Sequence, residues 1–235
     1  MTTFVLVHGA WGGSYAFREV RRQLFAAGHE AFTPSLTGIG ERSHLTGPHI
    51  VLDTHIIDVV NAVRYEDLDD LVLLGFSYGG MVVTGCLDHI GDRVRHLVYL
   101  DAFVPEHGQN LPDLSGRALP EPGFDPGSSW LLPAIPRELD TPEQTKWAEE
   151  RRSLQPIGTF RQPVSLSKPI DTWPFTRTYI KATADPSEGP DSAFWAAASR
   201  AKQSPAWSHH EIDTHHLIPL SRPNDLVEIL LALVR

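Results

Sequence analysis

The sequence predicts an alternating α/β fold, in which a mostly parallel sheet of about six strands is flanked by helices. Fully apolar runs at residues 4–7 (FVLV) and 71–74 (LVLL) end in glycine-containing turns, which is typical of strands buried on both faces. Segments with helical spacing of apolar residues separate such runs. Strands that alternate with helices favour right-handed parallel crossovers.

In chain order, the elements follow from these two patterns. Strands are expected at residues 4–7, 30–33, 71–74, 94–100, 177–182 and 207–212, and helices at 15–27, 56–63, 79–90, 191–202 and from 222 onward. Gly28 is expected to end the first helix, because glycine readily adopts the left-handed conformation found after helix ends.

The alternation is interrupted between residues 105 and 174, where 12 of the 19 prolines and three of the six tryptophans lie. So many residues without a backbone donor exclude a continuous sheet. One helix is expected there, at 142–153, with Thr141 as its N-cap. We therefore predict a core (residues 1–104), a cap insertion (105–174) and a second part of the core (175–235).

Composition narrows the function classes. Twenty Lys and Arg against 29 Asp and Glu give a net charge of −9, and without a basic stripe neither nucleic acid nor an anionic membrane is an expected partner. The single cysteine excludes an intrachain disulfide. No leader-like or 18-residue apolar stretch occurs, so a cytoplasmic location is expected. The spacing of the histidines indicates no metal site. No cofactor is expected. A homodimer is the candidate assembly.

The strongest motif is Gly-Phe-Ser-Tyr-Gly at residues 75–79, which follows an apolar strand and precedes a predicted helix. In that context G-x-S-x-G forms a sharp turn that exposes the serine above the sheet edge. The sequence therefore predicts Ser77 as a nucleophile. Backbone amides of Ala10, after the first strand, and Tyr78, after the serine, are the expected oxyanion donors.

A serine hydroxyl needs a base, and proteins with this elbow place an acid and then a histidine later in the chain. His215 and His216 both lie in the loop before the last helix and are both candidates. Asp185, shortly after the strand at 177–182, is the preferred acid. Asp101, which ends the strand at 94–100, is the alternative.

Together, residues 8–11 (HGAW), the elbow, Asp185 and His216 resemble the α/β-hydrolase family that contains salicylate methyl esterases and hydroxynitrile lyases. Residues 37–45 (TGIGERSHL) resemble bacterial esterase-like members of that group. The resemblance implies the α/β-hydrolase fold and favours His216 over His215, because an apolar segment follows it. It also implies a catalytic triad of Ser77, Asp185 and His216.

Two positions depart from that group. Phe76 stands where many relatives have histidine. The lyases carry threonine and lysine at the places of Gly9 and Leu217, and cyanohydrin cleavage needs that lysine, so lyase activity is not expected.

The function predicted is hydrolysis of a small hydrophobic or aryl ester by a serine carboxylesterase, through an acyl-enzyme. The alternative is a ligand-binding, receptor-like protein or another non-hydrolytic member of the same fold, such as a lyase or a cofactor-free dioxygenase. The aromatic cap suggests an apolar substrate pocket. Its predicted lining residues are Gly9, Trp11, Trp130, Leu131, Phe160 and Leu217.

Overall fold

The computed structural model describes residues 1–120, 130–189 and 191–235, and its main sheet has six parallel strands. The strands are β1 (Thr3–Val7), β2 (Glu30–Phe32), β3 (Leu71–Phe76), β4 (Val94–Leu100), β7 (Thr176–Ala182) and β8 (Trp207–Ile212). Their spatial order is β2-β1-β3-β4-β7-β8. The predicted parallel sheet is confirmed.

Helices follow the strands in the predicted alternation. They are α1 (Arg18–Ala26), α2 (Leu52–Tyr65), α3 (Gly79–Ile90), α7 (Ala193–Gln203), the short α8 (Ile218–Ser221) and α9 (Pro223–Ala232). Short 3-10 helices cover Ser14–Phe17, Gly40–Leu45, Gly91–Arg93 and Ile170–Thr172.

The all-apolar strands are explained by two hydrophobic clusters, one on each face of the sheet. In β1, Val5 and Val7 belong to one cluster, whereas Phe4 and Leu6 belong to the other. Successive side chains of a strand point to opposite faces, so a strand covered on both sides must be apolar at every position.

Between β4 and β7 the chain forms short elements. They are α4 (Leu111–Ser115), β5 (Leu131–Leu132), α5 (Pro142–Glu149), β6 (Gln155–Pro156) and α6 (Gly158–Arg161), with β5 and β6 paired antiparallel. Thr141 caps α5 as predicted, and its side chain accepts a hydrogen bond from the Gln144 amide. The helix ends at Glu149, earlier than predicted. The boundaries of the cap, 105 and 174, stay a prediction.

The strand order brings the carboxyl ends of β1, β3, β4 and β7 together at one sheet edge. The turn after β3 is tied to the turn after β4, since the Ser77 amide donates to Leu100 O (3.2 Å) and the Phe103 amide donates to Ser77 O (3.2 Å). Open α/β sheets bind ligands at such an edge.

A first prediction concerns the packing of α3 against this turn. A Cβ added at Gly80 would lie 2.1 Å from the carbonyl oxygen of Phe103. Gly80→Ala must therefore displace backbone, and we expect it to lower Tm by about 5 °C or more, as overpacking of roughly 1–3 kcal/mol does. Gly189→Ala is the control, because among the residues that the structure describes no atom lies within 4 Å of its added Cβ. Equal melting temperatures for both variants in calorimetry would contradict the close approach.

A second prediction concerns the buried imidazole of His55 in α2. Its Nε2 lies 2.8 Å from Thr37 O and its Nδ1 lies 2.9 Å from the Tyr78 hydroxyl. Burial lowers the pKa of His55 to about 3. Below pH 6.5 the unfolded chain therefore binds a proton that the folded chain does not, and stability falls as pH falls.

Substitution of His55 by glutamine removes this titration. The destabilisation caused by His55→Gln should thus be smaller at pH 5 than at pH 7.5, by about 2 kcal/mol. Urea unfolding at both pH values measures the difference. A penalty that does not change with pH would mean that His55 is protonated in the folded protein.

Candidate active site

Ser77 occupies a strained turn between β3 and α3. Its φ is 56°, in the left-handed region that non-glycine residues rarely adopt. The two flanking glycines permit the turn, because a Cβ at Gly75 would lie 2.6 Å from Gly79 O, and one at Gly79 would lie 2.6 Å from Val7 O. The predicted elbow is present, with Ser77 half-buried at the floor of a cavity.

His216 is the histidine that the structure brings to Ser77. Its Nε2 lies 2.9 Å from Ser77 Oγ, and the residue is buried. Its ring contacts those of Phe76 (centroids 4.9 Å apart) and Phe194 (5.0 Å, nearly parallel). His215 instead accepts a hydrogen bond from the Leu217 amide at its Nδ1 (3.2 Å). An imidazole placed like that of His216 can accept the serine proton.

The prediction that Asp185 contacts the imidazole is wrong. His216 Nδ1 lies 2.6 Å from Asp101 Oδ2, so the carboxylate that contacts the ring is the alternative considered above. Asp101 is fully buried, and its φ of 41° marks a second left-handed turn, directly after β4. Because β4 pairs with β3, this turn is next to the one that carries Ser77.

The side chain of Asp185 contacts the backbone of the loop that carries His216. Its Oδ2 accepts a hydrogen bond from the His216 amide (3.1 Å) and lies 2.5 Å from Arg137 Nη1, while its Oδ1 accepts one from the Ser187 amide (2.8 Å). Burial acts to raise the pKa of Asp185, but the Ser187 hydrogen bonds, the Arg137 charge and the His216 amide hold it at about 2. Asp185 is therefore an ionised group that contacts the backbone of His216 and not its ring.

Both predicted oxyanion donors lie at the cavity. His8 Nδ1 lies 2.9 Å from Gly9 O, and His8 Nε2 accepts a hydrogen bond from the Leu36 amide (3.1 Å), so Nδ1 is the donor. In a trans peptide the C=O and N–H point in opposite directions. The amide of Ala10 is thereby directed away from His8. Within the part of the chain that the structure describes, neither the Ala10 nor the Tyr78 amide has a protein acceptor.

The cavity above Ser77 has a volume of about 500 Å³. Gly9, Trp11, Phe160 and Leu217 line it as predicted. Trp130 and Leu131 do not line it, which corrects the prediction for those two positions.

The alternation of β5 explains that correction. Leu132 faces the cavity, and its neighbour in a strand must point the other way. Trp130 precedes the pair of short strands, where its carbonyl oxygen accepts a hydrogen bond from the Ile157 amide (2.8 Å).

Trp11 joins the loop after β1 to the cap. Its amide donates to Gln155 Oε1 (2.9 Å), its indole Nε1 donates to Leu132 O (3.1 Å), and its carbonyl oxygen accepts from the Ser153 amide (2.9 Å). Its ring packs edge-on against Phe160 at 5.7 Å. The cavity wall is therefore aromatic and is fixed on both sides.

Three residues of the site were not foreseen as functional: Lys181, Glu188 and Phe194. Lys181 lies one residue before the end of β7, is fully buried and contacts Asp101. A lysine near the carboxyl end of an inner strand was the available signal, because a buried ammonium needs carboxylate partners. Phe194 had no such signal, since an aromatic residue on a helix is ordinary core.

The described residues, 1–120, 130–189 and 191–235, contain no group of three side chains suited to holding a metal ion. Among the same residues, none of the helices is long and apolar enough to cross a membrane.

Comparison with known proteins agrees with this geometry. The model of the alpha/beta hydrolase family matches residues 4–229. A carbendazim hydrolyzing esterase from Nocardioides sp. (strain SG-4G) is 39% identical, over 99% of this chain and 100% of its own. An alpha-hydroxynitrile lyase from Arabidopsis thaliana is 28% identical, but over only 44% of this chain and 40% of its own.

A solved structure extends the likeness to the fold. An extracellular alpha/beta-hydrolase from a Paenibacillus species, described as homologous to tobacco salicylic acid binding protein 2, superposes with a TM-score of 0.81. It covers 99% of this chain and 98% of its own at 21% identity. The predicted class, a carboxylic ester hydrolase, is supported by the full-length esterase relative. With a family model that spans nearly all of its length, this chain belongs to the alpha/beta hydrolase family.

Proposed function

We propose that the protein is a serine esterase in which Ser77 is the nucleophile, His216 the general base and Asp101 the acid that orients it. The observation that carries this assignment is the continuous contact from Ser77 Oγ to His216 Nε2 (2.9 Å) and from His216 Nδ1 to the buried Asp101 (2.6 Å). Such a chain fixes the tautomer with Nε2 free to accept the serine proton.

The reaction follows from this arrangement. Ser77 Oγ attacks the ester carbonyl carbon while its proton moves to His216 Nε2, and the Ala10 and Tyr78 amides donate to the developing oxyanion. The imidazolium then protonates the leaving alkoxide, and an acyl-enzyme remains on Ser77. Water then attacks the acyl carbon while its proton moves to His216 Nε2. The imidazolium returns this proton to Ser77 Oγ as the C–O bond to the serine breaks, which releases the carboxylic acid and restores free Ser77 and neutral His216.

The cavity favours a small ester with a planar, apolar part. Trp11, Tyr78 and Phe160 supply aromatic walls, and the Arg152 guanidinium lies 5.7 Å from the centre of the Trp11 ring. Because the esterase similar along the full chain is named for carbendazim, carbendazim is the first compound to test, with methyl aryl esters next. Cytoplasmic location and a homodimer stay predictions from the sequence.

A third prediction tests the nucleophile. Ser77→Ala should abolish labelling by a fluorophosphonate probe and lower kcat for p-nitrophenyl acetate by at least ~10³-fold, because a triad without its nucleophile keeps only binding and oxyanion stabilisation. Ser208→Ala, at an exposed position of β8, is the control.

The same experiment distinguishes an esterase from the alternative, a ligand-binding, receptor-like protein. A wild-type protein that is labelled at Ser77 but turns over neither carbendazim, nor methyl aryl esters, nor p-nitrophenyl acetate would be a binding protein. Labelling that persists in Ser77→Ala would place the nucleophile elsewhere.

A fourth prediction tests the acid. Asp101→Asn should lower kcat by about 10⁴-fold, because an asparagine amide facing Nδ1 holds the wrong tautomer. Asp185→Asn should lower kcat about tenfold or less, since the Asp185 side chain contacts the backbone of His216 and not its ring. Steady-state kinetics of the two isosteric variants decide between them. The reverse ranking would return the role of the acid to Asp185.

A further inference from the structure

The orienting carboxylate does not end the chain of buried contacts. Asp101 Oδ1, the oxygen that does not face His216, lies 2.8 Å from Lys181 Nζ. Lys181 and Asp101 are both completely excluded from solvent. Register brings them together, because Leu100 of β4 pairs with Ile180 of β7 and each charged residue comes next in its strand or turn.

Lys181 in turn contacts a second carboxylate. Its Nζ lies 2.7 Å from Glu188 Oε2 and 2.5 Å from Ala182 O. The other oxygen of Glu188 accepts a hydrogen bond from the Ser192 hydroxyl, and both of these residues line the cavity. The ammonium has three oxygen partners, which matches its three donors.

The charges of Asp101, Lys181 and Glu188 do not cancel. Asp101 and Glu188 are negative and Lys181 is positive, so the three together carry a net charge of −1 while His216 is neutral. When His216 takes the serine proton, the group of four becomes neutral. With Lys181 but without Glu188, the same step would create a net positive charge in a buried place, which is costly.

Other charged groups near His216 are balanced among themselves. Asp185, at the His216 amide, is paired with Arg137. Asp140 lies 2.8 Å from Arg222 and 3.5 Å from His215, at partly exposed positions.

The remaining neighbours are neutral. Phe76 and Phe194 pack against the His216 ring. The Trp195 ring lies 4.5 Å from Lys181 Nζ. Burial raises the pKa of Tyr179, which keeps that hydroxyl uncharged. Arg117 and Arg152 also line the cavity, at an exposed and a half-buried position. The charges of Asp101, Lys181 and Glu188 are thus the buried charges linked to the His216 ring, through Asp101.

We propose that Lys181 and Glu188 are positioning residues that act through Asp101: Lys181 fixes the carboxylate, and Glu188 cancels the charge of Lys181 so that His216 can become an imidazolium. This inference rests on the proposed serine esterase function. It assigns to the two residues control of the pH range in which the enzyme is active.

The test is the pH dependence of kcat/KM for p-nitrophenyl acetate, and of the rate of fluorophosphonate labelling, between pH 4.5 and 9. Both should rise with pH as His216 loses its proton. Glu188→Gln makes the buried group neutral before proton transfer. The midpoint of the rising limb should then move to lower pH, by roughly half a unit to one unit for a buried charge several ångströms away.

A double variant supplies the reciprocal test. In Lys181→Met/Glu188→Gln only the charge of Asp101 is left, so the net charge returns to −1. The midpoint should return to within about 0.2 units of wild type, although two polar contacts have been lost. A merely structural role predicts no such recovery, because the double variant loses more contacts than the single one. Glu211→Gln removes an exposed carboxylate of β8 and should leave the midpoint unchanged.

The outcomes separate this inference from the function on which it rests. Absence of wild-type labelling at Ser77 would overturn the proposed esterase mechanism and the inference with it. Labelling at Ser77 together with equal midpoints in wild type and Glu188→Gln would overturn the inference alone. A double variant shifted further than Glu188→Gln would also overturn it, since net charge would then not be the determinant.

Discussion

The burial of the Asp101 carboxylate is the constraint on which the site depends. An anion without solvent contact needs a charged or hydrogen-bonded partner at each oxygen. Here the partners are His216 at one oxygen and Lys181 at the other. Lys181 is itself buried, which explains why a further carboxylate, Glu188, stands beside it. The positions of Lys181 and Glu188 follow from the need of each buried charge for a partner of opposite sign.

The sheet that holds these groups was predictable from the sequence because its signals are local. Apolar runs such as residues 71–74 have to be buried on both faces, and Gly75 and Gly79 have to flank a turn too tight for side chains. The tight turn at Ser77 was predicted for the same reason.

The carboxylate that contacts the His216 ring was not predictable in this way. Asp101 and Asp185 both follow inner strands, and they differ in their partners: Asp101 contacts the His216 ring, whereas Asp185 Oδ2 pairs with Arg137, 48 residues earlier. That contact joins the cap to the core, and no periodicity or spacing in the sequence reports it. The wrong assignment of Trp130 and Leu131 to the cavity lining has a similar cause. A strand of two residues shows no alternation from which the side facing the cavity could be predicted.

Trp11 ties the loop after β1 to the cap by three hydrogen bonds, at positions 132, 153 and 155, and this has a consequence for redesign. Residue 10, whose amide faces the cavity, immediately precedes this anchor. A cap exchanged for another to alter substrate range would release Trp11, whose backbone has a φ of 59° and is held against its own preference. Specificity and catalytic geometry are therefore not separable modules in this protein. An exchanged cap has to reproduce the acceptors and donor that Trp11 requires, whatever side chains it brings to the substrate.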